Sequence, residues 1–197
     1  IPIYQRNYSW TESECRQLWD DILRAGRDDG ISGHFIGSVV YIEKGLYSIS
    51  SQAPLLVIDG QQRLTTMTLL IAALAKAIEG QAEPLTDFTT KKLRNYYLLN
   101  PEEEEEAFYK LILSETDKDT LINILDDKPQ LEHHSIRVEE NYNNFTKWIN
   151  SHIDELDAIC KGIAKLMLVD VSLNREHDNP QLIFESMNST GKALSQA

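Results

Sequence analysis

The run Val57-Ile58-Asp59-Gly60-Gln61-Gln62-Arg63-Leu64-Thr65-Thr66 gathers a carboxylate, two amides and a guanidinium around one glycine, where an apolar stretch gives way to polar residues. This set of groups can bind an anion. A strand that ends in a glycine-containing turn and feeds a helix presents unsatisfied backbone N–H groups together with the positive end of the helix dipole. Arg63 falls in the first helical turn, where a cation opposes that dipole, so an anionic partner accounts for it better than helix stability does. The same residues also suit a plain strand–turn–helix corner, with Asp59 as N-cap and Arg63 in a salt bridge.

Two further groups of residues carry usable chemistry. In Tyr4-Gln5-Arg6, an extended segment, successive side chains alternate in direction, so only one of Gln5 and Arg6 faces a given pocket. Arg6 offers a planar fork for phosphate or carboxylate, and its plainer role is a surface ion pair. Asn188-Ser189-Thr190-Gly191-Lys192 combines an amide, two hydroxyls, a glycine and a lysine, but the order is not that of a Walker A loop. A helix C-terminal turn with Gly191 in a left-handed conformation explains it without a ligand. His34, His133, His134, His152 and His177 lack metal-ligand spacing, and no Ser-His-Asp or Cys-His arrangement supports covalent catalysis.

These residues need a scaffold, and the hydrophobic pattern supplies one. Thr11 caps a helix with apolar positions Cys15, Leu18, Trp19, Ile22 and Leu23, and His34 to Ile42 reads as a strand. Strand Leu55 to Ile58 precedes the Asp-Gly corner, and the helix from Leu64 to Ile78 is apolar on nearly every face, hence central. Helices follow: Lys91 to Leu99, one beginning after Pro101 with Glu102 to Glu106 in its first turns and carrying Phe108, Leu111 and Ile112, and a short one with Leu121, Ile124 and Leu125. A longer helix runs through Val138, Tyr142, Phe145, Trp148, Ile149 and Ile153, with a partner around Leu156, Ile159 and Ile163. The run Leu166 to Leu173 returns as a strand of a covered sheet, and Asn179-Pro180 starts a helix through Leu182 to Met187. The fold class is α/β (α+β): residues 1–85 form the first part of the α/β module, 86–164 a helical insertion, and 165–197 the return to the module. The abrupt ends at Ile1 and Ala197 read as those of an excised piece.

The 197 residues are 42% hydrophobic and 25% charged, a globular composition, and the formal net charge of −12 opposes binding to nucleic acid or anionic membrane except through a local basic patch. Cys15 and Cys160 read as reduced core thiols, which fits the cytoplasm. No apolar run is long enough for a membrane span.

Four motifs occur in order: Ile1 to Trp10, His34-Phe35-Ile36-Gly37-Ser38, Val57 to Thr66, and Phe184 to Ser195. Together they resemble the N-terminal domain of GmrSD-type modification-dependent restriction systems. The resemblance implies a ParB/sulfiredoxin-like small sheet with helices and a helical extension, in which the Asp-Gly-Gln-Gln-Arg turn is a nucleotide site. It further implies a nucleoside triphosphate as substrate or ligand, Mg²⁺ as cofactor, and control of an attached C-terminal nuclease domain or subunit that acts on modified DNA. Carried over, the catalytic residues are Asp59, Gln61, Gln62 and Arg63. The phosphate-binding residues are Gln5, Arg6, Gly60, Arg63, Thr65, Asn188, Thr190, Gly191 and Lys192, and Asp59 is the metal ligand. Within that frame Arg63 and Arg6 neutralise charge in phosphoryl transfer, while Gln61 or Gln62 positions the attacking water. The alternative is a non-hydrolysing ParB-like module that binds nucleotide or DNA phosphate.

Overall fold

The computed structural model describes residues 7–43, 54–81, 84 and 88–173. Among the described residues the order is α1 (Glu12–Arg27), β1 (His34–Glu43), β2 (Leu55–Asp59), α2 (Gln61–Ala77), α3 (Thr90–Leu93), α4 (Glu115–Leu125), α5 (Ile136–Ser151), α6 (Leu156–Ala164) and β3 (Leu166–Leu173). The mixed α/β class expected from the sequence is the class observed. The chain divides into two compact units, one drawn from Ile36–Gln61 and from Leu168 onward, the other from Asn7–Phe35 and Gln62–Met167.

In the larger unit, α1 begins where the Thr11 N–H donates to the Glu14 carboxylate at 2.7 Å. That bond satisfies a helix-end donor, and the Thr11 hydroxyl, which donates to the same carboxylate, does most to hold the Glu14 carboxyl below its ordinary value, with the N–H bond adding to it. The expected stripe of Cys15, Leu18, Trp19, Ile22 and Leu23 is buried. It meets α6 at a crossing that admits no side chain on either helix at the contact. A Cβ on Gly26 would lie 1.8 Å from the Ala158 carbonyl oxygen, and one on Gly162 would lie 2.0 Å from that of Ile22. Beside this crossing Trp19 packs on Trp148 of α5 with ring centroids 6.1 Å apart. Helix α2 is buried from Thr65 through Ala75 except at Met67, as its all-round apolar pattern requires.

The smaller unit holds a sheet in the order β2-β1-β3. Strands β1 and β2 are antiparallel, pairing Val40 with Asp59 but Tyr41 with Val57, so Ile58 is an extra residue on β2. Val40, Ile42, Leu56 and Ile58 form its core, with Leu173 packed against them.

Three expectations need correction. No helix carries Phe108, Leu111 and Ile112: a 3₁₀ turn spans only Glu105–Phe108, and Leu99 bridges Tyr109 instead. The Asn100 N–H donates to the Phe108 carbonyl at 2.7 Å and Lys110 N–H to that of Leu98 at 3.0 Å, so the backbone is satisfied across a loop. Five consecutive glutamates, repelling at helical spacing, weaken the helical alternative. Next, the helix expected over Lys91 to Leu99 is α3 followed by a π-helical turn, Arg94–Leu98. Finally, β3 is not a covered strand among the described residues: Met167, Leu168, Val169 and Val171 are all exposed. Among the described residues it stands at the end of the strand order. The helix expected at Leu182 to Met187 lies outside the described residues.

Candidate functional site

The turn at Gly60 is dictated by backbone geometry. Its φ of 91° lies where L side chains are strained, and a Cβ there would sit 2.8 Å from the Ser38 carbonyl oxygen and 3.0 Å from Val39 Cγ2. Only glycine fits. The irregularity at Ile58 falls immediately before Asp59, and such bulges re-aim the side chains that follow them. Asp59 is half-buried and Gly60 buried.

Helix α2 starts at Gln61, one residue after the turn, and no acidic residue occupies its first turn. The N–H groups of this turn and the dipole end are therefore left without an anionic side chain from the same turn. The Gln61 Nε2 group donates to the Val57 carbonyl at 3.1 Å, tying the first helical residue back to the strand. Arg63 is half-buried, and Thr65 is buried within the helix.

Gln62 commits both ends of its side-chain amide. Its Oε1 accepts from the Ser9 N–H at 2.8 Å and the Trp10 N–H at 3.3 Å, and its Nε2 donates to the Asn7 carbonyl at 3.2 Å. Both ends of the amide are thus used on the backbone of Asn7 to Trp10. One helical turn further, the Thr66 hydroxyl donates to the Gln62 carbonyl at 2.8 Å. Its single proton is spent there, so Tyr8 Oη donates to Thr66 Oγ1 at 2.7 Å and accepts from Asn141 Nδ2 at 3.1 Å. Asn141 Nδ2 also donates to the Trp10 carbonyl at 2.8 Å, and the Tyr8 N–H donates to Asp117 Oδ2 at 2.6 Å. Tyr8, Thr66, Asp117 and Asn141 are all buried, and burial raises the Tyr8 phenol far above its ordinary pKa.

The sequence reading missed this network, although two of its members carried a signal. Asn141 sits between Val138 and Phe145 on the apolar stripe of α5, and Asp117 stands four residues before Leu121 on that of α4. A polar residue on a buried face must find partners.

Gln5, Arg6, Asn188, Thr190, Gly191 and Lys192 lie outside the described residues. Among the described residues no three His, Cys, Asp or Glu side chains cluster as a metal site. His34 lies 3.3 Å from Asp21 and His134 2.9 Å from Glu139, while His152 stacks edge-on against Trp19. Cys15 and Cys160 are free and buried, as expected for core thiols. No helix of the described residues is long and apolar enough to cross a membrane.

Comparison with known proteins adds one match and one absence. The family described as GmrSD restriction endonuclease, N-terminal domain, matches residues 1–197. No curated protein matches the chain.

Proposed function

The chain belongs to the GmrSD restriction endonuclease N-terminal domain family, a component of restriction systems, and from that premise we propose that its Asp59–Arg63 turn binds a nucleoside triphosphate. The observation that carries this reading is the turn itself. Gly60 is closed to any side chain, and it delivers the chain into a helix whose first turn holds an arginine and no acid. A phosphate chain suits that combination: N–H groups at the helix start donate to its oxygens and Arg63 supplies a bidentate fork. Asp59 is a single half-buried carboxylate, and Mg²⁺ is commonly held by one or two carboxylates with substrate phosphates and water completing its shell. The donor chemistry therefore fits Mg²⁺, which when bound neutralises phosphate charge, with Asp59 as its ligand. Gln61, tied to the strand end, orients groups near the γ-phosphate, and Arg6 and Lys192 add cationic charge. Hydrolysis at this site regulates an attached nuclease that acts on modified DNA.

Calorimetric titration of the chain with Mg²⁺ and ATP, GTP, CTP or UTP tests the proposal. One triphosphate binds with unit stoichiometry, and Arg63→Ala weakens it roughly 10–100-fold, the range of a charged hydrogen bond. Absence of binding for all four nucleotides, or an unchanged affinity in Arg63→Ala, overturns it. Salt-dependent DNA binding that Arg63→Ala abolishes without nucleotide would support the non-hydrolysing module instead.

A further inference from the structure

After α3 the helix widens: in the π-helical turn Arg94–Leu98 the Leu99 N–H donates to the Arg94 carbonyl, five residues back, at 2.8 Å. In an α-helix residues four apart share a face, so Tyr97 would follow Leu93 onto the buried side. The extra residue in this turn puts Leu98 there instead, and Leu93 and Leu98 are both buried. Tyr96 and Tyr97 are turned outward, at 66% and 56% exposure. Leaving two neighbouring rings in water gains the fold nothing, and single π turns of this kind occur frequently at functional sites.

The chain then closes a loop on the residues next to Tyr97. The Lys110 N–H donates to the Leu98 carbonyl at 3.0 Å and the Asn100 N–H to that of Phe108 at 2.7 Å, so the segment between carries Glu102 to Glu106 back beside the tyrosine turn. Glu103 is half-buried and the other four glutamates are exposed. Among the described residues only Glu106 of the five has an ion pair, with Lys118 at 2.8 Å. Arg94 is half-buried and donates from Nη2 to the Leu125 carbonyl at 2.8 Å.

We propose that Tyr96, Tyr97 and the loop from Glu102 to Glu106 form a docking surface for an arginine-bearing segment of a partner protein. Rings and carboxylates select the same group. A guanidinium stacks flat on a tyrosine ring and grips a carboxylate through its fork, which an ammonium does less well. The formal net charge of −12 draws such a segment in and repels nucleic acid. The surface lies wholly within the larger unit and is independent of the nucleotide reading.

The probe is a fluorescent synthetic peptide of four arginines spaced by glycine and serine, titrated with the full chain and read by anisotropy beside its lysine and glutamate versions. The arginine peptide binds with a micromolar Kd, the lysine peptide about fivefold more weakly, and the glutamate peptide not at all. Tyr96→Ala with Tyr97→Ala weakens the arginine peptide about tenfold, and Glu102→Gln, Glu103→Gln, Glu104→Gln and Glu105→Gln together do so at least as much. Glu12→Gln with Asp20→Asn, which removes exposed acids of α1, changes the affinity less than about twofold. These are surface positions, so thermal melting of every variant stays within a few degrees of the wild type. No binding at about 1 mM arginine peptide overturns the proposal. So does equal affinity for the arginine and lysine peptides, or an unchanged affinity in the tyrosine variant, because the contact is then diffuse attraction between opposite charges. A single-stranded oligonucleotide that binds the chain and is lost in the tyrosine variant also overturns it, and assigns the surface to nucleic acid through Lys91 and Lys92.

Discussion

The α1–α6 crossing and the Tyr8–Gln62 network lie in the same unit and are built on opposite principles. At the crossing the chain removes side chains altogether. Gly26 and Gly162 let two backbones approach closely, and Trp19, Trp148 and Phe145 fill the space beside them. Contacts of this kind are dry, non-directional and worth most in stability. The network instead buries a phenol, a hydroxyl, an amide and a carboxylate, each aimed at a particular partner. Burying such groups returns little net stability even when all are satisfied, but it permits only one arrangement. The contrast teaches that the unit is held together in one place and held in position in another.

Breaking the dry region has the largest effect. Gly162→Ala puts a methyl group 2.0 Å from the Ile22 carbonyl oxygen, and Gly26→Ala puts one 1.8 Å from that of Ala158. Each must push the helices apart, at a cost above about 3 kcal/mol, and the double variant does not fold. Denaturant titration measures this, and a loss under about 1 kcal/mol would show that the crossing relaxes freely. Tyr8→Phe attacks the other region. It keeps the ring but removes the donor to Thr66 Oγ1 and one of the two acceptors of Asn141 Nδ2, in an amide whose Oδ1 has no hydrogen-bond partner among the described residues, and it lowers stability by about 1–3 kcal/mol. Its distinguishing mark is faster exchange at Ser9 and Trp10 with α6 amides unchanged; uniform loosening of both regions would erase the contrast.

The thiols sharpen the comparison through pH. Burial pushes Cys160, in α6, from 9.0 up to about 12, whereas Cys15 has the Tyr8 hydroxyl 3.5 Å away, which offsets part of its own upward shift. A thiol held protonated in the folded state but free to ionise when unfolded favours folding below its ordinary pKa. That contribution is lost as pH rises from about 9 toward 12. Stability therefore declines across that window at up to about 1.4 kcal/mol per pH unit from this group, and Cys160→Ala flattens the decline. A variant as alkali-sensitive as the wild type would place the titration elsewhere.

The two regions also differed in how readable they were. The α1 stripe was legible because burial of Cys15, Leu18, Trp19, Ile22 and Leu23 follows the helical period, which is a local property. The contact it makes was not: nothing near Gly26 announces Ala158. The Asp-Gly-Gln-Gln-Arg turn was legible for a related reason, since Gly60, the strand end and the helix start are consecutive. What Gln62 does was hidden, because its partners lie more than fifty positions away in sequence. The acidic run shows two local rules in conflict: Pro101 and the first glutamates suit a helix start, but five glutamates repel one another along a helix, and pairing of Leu99 with Tyr109 prevails.

The smallest effect tests whether the dry region owes anything to charge. Arg27, at the end of α1, donates to both carboxylate oxygens of Glu155 at 2.8 Å, directly before α6, so the pair closes one end of the crossing. Its hydrogen bonds hold the Glu155 carboxyl below its ordinary value and raise the Arg27 guanidinium. A depressed carboxyl stabilises the fold above its ordinary pKa and loses that effect as pH falls through the folded value. Both side chains are well exposed, however, at 48% and 41%, so water and salt screen them and the ordering of two long side chains opposes the gain. Arg27→Gln therefore shifts the melting temperature less than any substitution above, and the remaining shift vanishes in 1 M salt, where the screening length is about 3 Å. A drop as large as that of Tyr8→Phe, persisting in salt, would mean that the crossing is held by this ion pair rather than by the approach of its two glycines.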